Sequence, residues 1–178
     1  FVMEDFIKDN LEEIEVLALE EWCQDSYDIK QYMWELSNDS LSRNFSEAIF
    51  GMFNKYKSNV EEKTILYRGM SIPDKIFFAM GYDLLKKGSF YTPDDKAITS
   101  FTKSNRIAYE FARDGYFNNK VVIRVESHGD EMFDISSISS LAAEEETILM
   151  KNLWYNVKRV KRYDNGGEKW LILILEKL

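Results

Sequence analysis

Thr64-Ile65-Leu66-Tyr67-Arg68-Gly69 is where the chain changes texture. Ahead of it the apolar residues follow helical spacing and proline is absent. Behind it come short apolar runs bounded by turn residues. Upstream, Phe6, Ile7, Leu11, Ile14, Leu17 and Trp22 recur at three- and four-residue steps. Leu41, Phe45, Ile49, Met52, Phe53 and Tyr56 repeat the period after Asn38-Asp39-Ser40, which carries capping chemistry. These stripes predict core-facing helices, with Trp22 among the core residues.

Downstream, Thr64–Tyr67 reads as a strand. Pro73-Asp74 opens a helix that Lys87-Gly88 closes, and Ala97–Thr102 is a strand. Ser104 then caps a short helix carrying Ile107, Ala108, Phe111 and Ala112. Further strands are expected at Val121–Val125, Glu131–Ile135, Glu145–Met150, Trp154–Val160 and Glu168–Glu176. Asp164-Asn165-Gly166-Gly167 makes the hairpin turn before the last of them. Helices first and strands afterwards predict an α+β fold with a mainly antiparallel, two-sheet β core. The expected organisation is one domain over residues 1–178, helical over 1–60 and β-rich over 61–178.

An apolar share of 45% in 178 residues supports a sizeable core and excludes a disordered tail. The net charge of −8 argues against a nucleic-acid partner, because gripping phosphates needs clustered cations. No membrane span is expected, since the longest apolar run, Trp170–Leu175, falls far short of the ~20 residues required. The single cysteine, Cys23, cannot form an internal disulfide and reads as an inert helical thiol. The chain begins at Phe1 rather than methionine, as a fragment or processed form would.

His128 is the sole histidine and sits beside Gly129-Asp130 in a turn, so zinc sites and histidine-based nucleophile pairs are disfavoured. Three other places can carry chemistry. Arg68, with Gly69 beside it, ends a strand, and a planar two-pronged donor next to a bare backbone suits a phosphate. In Ile98-Thr99-Ser100-Phe101-Thr102, alternation puts Ile98, Ser100 and Thr102 on one face. In Ala142-Ala143-Glu144-Glu145-Glu146-Thr147-Ile148-Leu149-Met150, an extended chain would place Glu144 and Glu146 on one side, ~6–7 Å apart, with Glu145 pointing away. Such a pair can divide the labour at a glycosidic centre.

The order aromatic-Arg, Ser/Thr strand, then Glu-x-Glu running into apolar residues resembles the Arg–Ser–Glu class of mono-ADP-ribosyltransferases. The helical element Ala108-Tyr109-Glu110-Phe111-Ala112 after the Ser strand also resembles that class, as does Ile135-Ser136-Ser137-Ile138-Ser139 ahead of the acids. The likeness covers Thr64 to Leu175. Phe101 departs from it, standing where many members have Thr.

The resemblance implies an ADP-ribosyltransferase-like fold with an NAD cleft and an enzyme that passes ADP-ribose from NAD to an arginine of a target protein, releasing nicotinamide. NAD would be a substrate. Arg68 would meet its pyrophosphate and Gly69 would offer backbone to the nicotinamide carboxamide. Ser100 would hold Glu146, Glu146 would meet the nicotinamide ribose, and Glu144 would engage the acceptor. Residues 136–143, Leu141 among them, would face the target protein. Arg106 and Arg113 lie near the phosphate-facing segment, and Tyr109, Phe111 and Phe117 are candidates to stack on nicotinamide. Toxins and phage effectors of this class act in the cytoplasm of a host or target cell. The competing readings are an NAD glycohydrolase and a non-catalytic NAD-binding or protein-interaction module.

Overall fold

The computed structural model describes residues 10–55, 63–127, 131–136 and 145–178. His128, Glu144, Leu141 and the rest of the segment preceding Glu145 back to Ser137 lie outside the described residues. The chain divides into two compact units. One comprises residues 1–62, 94–100 and 128–152, the other residues 63–93, 101–127 and 153–178.

The first unit holds helices α1 (Glu13–Gln24), α2 (Tyr27–Met33) and α3 (Ser40–Lys55), together with strands β5 (Met132–Asp134) and β6 (Glu146–Leu149). Two of these helices, α1 and α3, have side-chain caps at their starts. Glu12 and Glu15 form a reciprocal capping box at α1. Asp39 Oδ2 accepts from both the backbone and the hydroxyl of Ser42 at α3. Of the predicted stripe residues, Trp22, Ile49, Met52 and Phe53 lie in the core with Leu19, Ile29, Met33, Ile98, Phe133, Ile135 and Ile148, and Leu11 and Phe45 pack against it. Ile14, Leu17 and Leu41, expected to face the core, are exposed; α1 buries the side that carries Ala18, Leu19 and Trp22 instead. Cys23 packs at the edge of this core. Strands β5 and β6 pair antiparallel, Phe133 opposite Ile148.

A side-chain hub fixes the way into the segment 94–100. Asp94 Oδ1 accepts from the backbone of Lys96 and Ala97, and its Oδ2 accepts from Trp34 Nε1 at 2.8 Å. Its carbonyl accepts from Asn152 N. Four hydrogen bonds thus anchor the stretch that leads to Ile98 and Ser100.

The second unit contains β1 (Thr64–Ile72), helix α4 (Asp74–Ala79), β2 (Phe90–Tyr91), helix α5 (Asn105–Asp114), β4 (Asn119–Ser127), β7 (Tyr155–Asn165) and β8 (Glu168–Lys177). Strand β3 (Thr99–Thr102) ends in it. Strand order is β2-β7-β8-β4-β1-β3, all neighbours antiparallel except β4 with β8. The arrangement is mainly antiparallel, as expected, with this one parallel pair; it joins Val121–Val125, apolar but for Arg124, to the apolar run Leu171–Leu175.

The predicted turn at residues 164–167 is present, with Gly166 and Gly167 at positive φ. Ser104 caps α5, its hydroxyl accepting from Ile107 N at 3.2 Å. The helix opened by Pro73-Asp74 ends at Ala79, not Lys87. Gly81 takes φ +74° and starts a 3-10 turn, Tyr82–Leu84, which stops the α-helix early.

Alternation along β1 divides its chemistry. Tyr67, Gly69 and Ser71 face α5, where Tyr67 packs with Ala108, Ala112, Val122 and Trp170. Leu66, Arg68 and Ile72 take the opposite face. A Cβ added at Gly69 would run into the Ala108 carbonyl of α5, so the missing side chain is what lets helix and strand meet. Buried Lys120 donates its ammonium to the Gly115 carbonyl at the end of that helix, 2.7 Å away.

Two stability outcomes follow from this packing. Gly69→Ala must displace backbone, and overpacking of this kind costs about 1–3 kcal/mol. Its thermal midpoint should drop by several degrees, and an unchanged midpoint would show that α5 does not rest on Gly69. Asp39 has its pKa held below the usual carboxylate value, first by the Ser42 backbone hydrogen bond and then by the Ser42 hydroxyl. Its stabilising share is therefore present above the unfolded-chain pKa of about 3.9 and lost as pH falls through the lower folded value. Asp39→Ala should melt below the parent near neutral pH, with the gap closing in acid melts; a pH-independent gap would contradict the cap.

Candidate active site

Ser100 and Glu146 come from strands far apart in the chain and meet in the first unit. Ser100 Oγ donates to Glu146 Oε1 at 2.8 Å. Each lies two residues from a buried isoleucine of the helical core, Ile98 before Ser100 and Ile148 after Glu146. Along both strands the face that ends at the polar pair is thus the face anchored in the core. Backbone bonds hold β6 as well: Ile135 N donates to the Glu146 carbonyl and Met150 N to the Glu131 carbonyl.

A third partner was not foreseen as part of this pair. Trp22 of α1, 2% exposed, donates its indole Nε1–H to Ser100 Oγ at 3.0 Å. The sequence pattern identifies Trp22 as a core residue, and it is one. The available clue was chemical: a buried indole N–H needs an acceptor. Lys30 Nζ sits 5.3 Å from the centre of the same ring.

Strand β6 starts at Glu146, and Glu145 adopts φ +51°. That left-handed backbone costs a non-glycine residue roughly 1–2 kcal/mol and interrupts the two-residue alternation. The extended geometry expected to put Glu144 and Glu146 on one side therefore does not run through Glu145.

Arg68 and Gly69 lie in the second unit, on opposite faces of β1, opposite Ile123 and Val122 of β4. Arg68 is half-buried. Burial pushes the Tyr82 phenol up, against the hydroxyl of Tyr91 at 2.9 Å and the positive charge of Arg68. A cationic side chain near Tyr82 on one face and a bare backbone against α5 on the other are thus set by consecutive residues.

The aromatic candidates separate. Tyr109 is stacked on Trp170 at 4.9 Å, and Trp170 on Tyr163 at 6.0 Å, a ladder that occupies one Tyr109 face. Phe111 is half exposed, and Phe117 meets Tyr116 edge to face. Phe117 is also tied through its backbone to Ser71 Oγ. The two arginines of α5 have acidic neighbours, Arg106 with Glu110 and Arg113 with Asp114. Among the described residues no cluster of His, Cys, Asp or Glu is placed to hold a metal ion. None of their helices is long and apolar enough to cross a membrane.

No family model matches the chain, and no curated protein matches it in sequence. Solved structures do match in fold. Plx2a, an ADP-ribosyltransferase toxin from Paenibacillus larvae, aligns over 99% of this chain and 91% of its own, with TM-score 0.72 and 17% identity. Vis, an ADP-ribosyltransferase toxin of Vibrio splendidus, in its complex with agmatine, covers 99% and 81%, with TM-score 0.69 and 18% identity. Exoenzyme S from Pseudomonas aeruginosa, bound to human 14-3-3 protein beta and carba-NAD, covers 94% and 76%, with TM-score 0.68 and 15% identity. The chain has the fold of the bacterial ADP-ribosyltransferase toxins.

Ser100→Ala removes the acceptor of a buried indole N–H and a donor to Glu146. An unpaired buried donor costs roughly 1–3 kcal/mol, and at about 2–4 °C per kcal/mol for a chain this size the midpoint should fall measurably. A melt identical to the parent would mean that neither group depends on the hydroxyl.

Proposed function

We propose that this chain is an NAD-dependent mono-ADP-ribosyltransferase whose acceptor is a protein arginine. The observation that carries the reading is the Ser100–Glu146 hydrogen bond, present within a fold shared with ADP-ribosyltransferases. A carboxylate fixed before reaction can stabilise charge that develops only in the transition state.

In this reading the bond between C1′ of the nicotinamide ribose and the pyridinium nitrogen breaks first. Nicotinamide leaves with the bonding pair, which turns its cationic ring neutral and leaves an oxocarbenium-like sugar. Glu146 faces that cation and accepts from the ribose 2′-OH, while Ser100 keeps the carboxylate from turning away. Arg68 offers its guanidinium to the pyrophosphate as a planar, two-pronged donor. Gly69 offers backbone to the carboxamide. Glu144 orients the incoming guanidinium, whose nitrogen bonds to C1′. The proton it sheds passes late to the Glu144 carboxylate, because a free guanidinium holds its protons too tightly to give one up early. Binding of agmatine, itself a guanidino compound, by the structurally similar Vis supports an arginine-like acceptor. Carba-NAD in the exoenzyme S structure supports NAD as the donor. The setting that fits such an activity is the cytoplasm of a target cell, reached by a toxin or phage effector.

The two glutamates should separate in a paired assay of nicotinamide release and arginine labelling. Glu146→Gln keeps shape but removes the anion, and loss of one such preorganised group costs ~10²–10³ in rate. Both readouts should collapse together. Glu144→Gln should abolish labelling while part of the nicotinamide release survives. Parent-like cleavage by folded Glu146→Gln would overturn the assignment. Nicotinamide release by the parent with no labelled protein would make the enzyme a glycohydrolase instead.

A further inference from the structure

We infer that Trp22 is a positioning residue for Glu146, acting through Ser100; the inference rests on the reading of Glu146 as the carboxylate that faces the ribosyl cation. An indole N–H can only donate. With Trp22 Nε1 3.0 Å from Ser100 Oγ, the hydroxyl is the acceptor there, and its single proton is left for Glu146 Oε1 at 2.8 Å. The three groups form a one-way chain, indole to hydroxyl to carboxylate. Donation into the serine oxygen makes its own O–H a stronger donor, since linked hydrogen bonds polarise one another. A lone serine hydroxyl rotates among three staggered positions. The indole selects the one that points at Glu146.

The indole itself is packed in the core. Its ring is buried with Leu19, Ile29 and Ile98 in the first unit's core, and the Lys30 ammonium sits 5.3 Å from the ring centre. Ile98 also anchors the strand that carries Ser100. Helix α1, strand β3 and strand β6 therefore each contribute one member of the chain from within one packed unit.

Trp22→Phe keeps most of the ring and deletes the donor. In nicotinamide-release assays, kcat should fall about 3- to 10-fold, the scale of one neutral hydrogen bond, with KM for NAD unchanged within about twofold. The decisive comparison is the double variant. If Trp22 acts through Ser100, Trp22→Phe should have no further effect on kcat once Ser100→Ala is in place. Parent-like kcat in Trp22→Phe, or kcat losses that multiply in the double variant, would overturn the inference.

A second measurement uses proteins that retain the indole. In ¹H–¹⁵N spectra of the parent, the Trp22 side-chain N–H signal is assigned through its own ring and backbone correlations. That signal should shift in Ser100→Ala and, less strongly, in Glu146→Gln. No shift in either variant would overturn the chain even if Trp22→Phe fails to fold. If the folded parent releases no nicotinamide, the proposed function fails on its own, and the indole signal alone then decides whether Trp22 holds Glu146 through Ser100.

Discussion

Everything at the candidate site depends on a carboxylate being held still by a neutral hydroxyl. Glu146 stands at the very start of a four-residue strand, where a side chain would ordinarily sample several rotamers. A fixed cationic partner would neutralise it and weaken its pull on a developing positive charge. A hydroxyl fixes direction without cancelling charge. The fold supplies that hydroxyl from a second strand, and anchors both strands by isoleucines in one core. The helical third of the chain is thus part of the site's foundation, because its stripe residues make the core into which Ile98 and Ile148 are driven.

Much of the scaffold was legible because its signals are local. The serine cap of α5, the Asn165-Gly166-Gly167 turn and the Pro73-Asp74 helix start each depend on a few adjacent residues. Strand lengths were harder. Strand β7 continues past Val160 through Lys161, Arg162 and Tyr163, a stretch too polar to announce itself, because β8 pairs with it residue by residue to the turn. Strand β1 likewise continues through Arg68 and Gly69 to Ile72, held by β4 along its whole length. The parallel β4–β8 contact depends on long-range pairing that no local pattern encodes.

At the site, residue types and order pointed to Ser100 and Glu146, but spacing alone misjudged the backbone before Glu146. Period-two reasoning presumes extended conformation, and a left-handed glutamate violates it. Trp22 was assigned by its apolar bulk, since a helical stripe reveals which face is buried and not what one nitrogen on that face touches. The Asp94 hub has no local signature for a similar reason. Its partners Trp34 and Asn152 are remote in sequence, and an acid in a loop otherwise reads as solvated. Gly69 reads in the sequence only as bare backbone for a ligand, and the close approach of α5 gives it a packing role that no local pattern announces.

The left-handed backbone at Glu145 also changes how the chain tolerates length variation. In an uninterrupted strand, adding or deleting one residue turns every side chain beyond it to the opposite face. Here the register of β6 is set from within, by Phe133 opposite Ile148 and by Ile135 N on the Glu146 carbonyl. Glu145 is a joint at which the pleat restarts, so the facing of Glu146 is insulated from insertions and deletions upstream. Between Ile135, which holds the Glu146 carbonyl, and the joint, the chain can change length while the carboxylate keeps its aim.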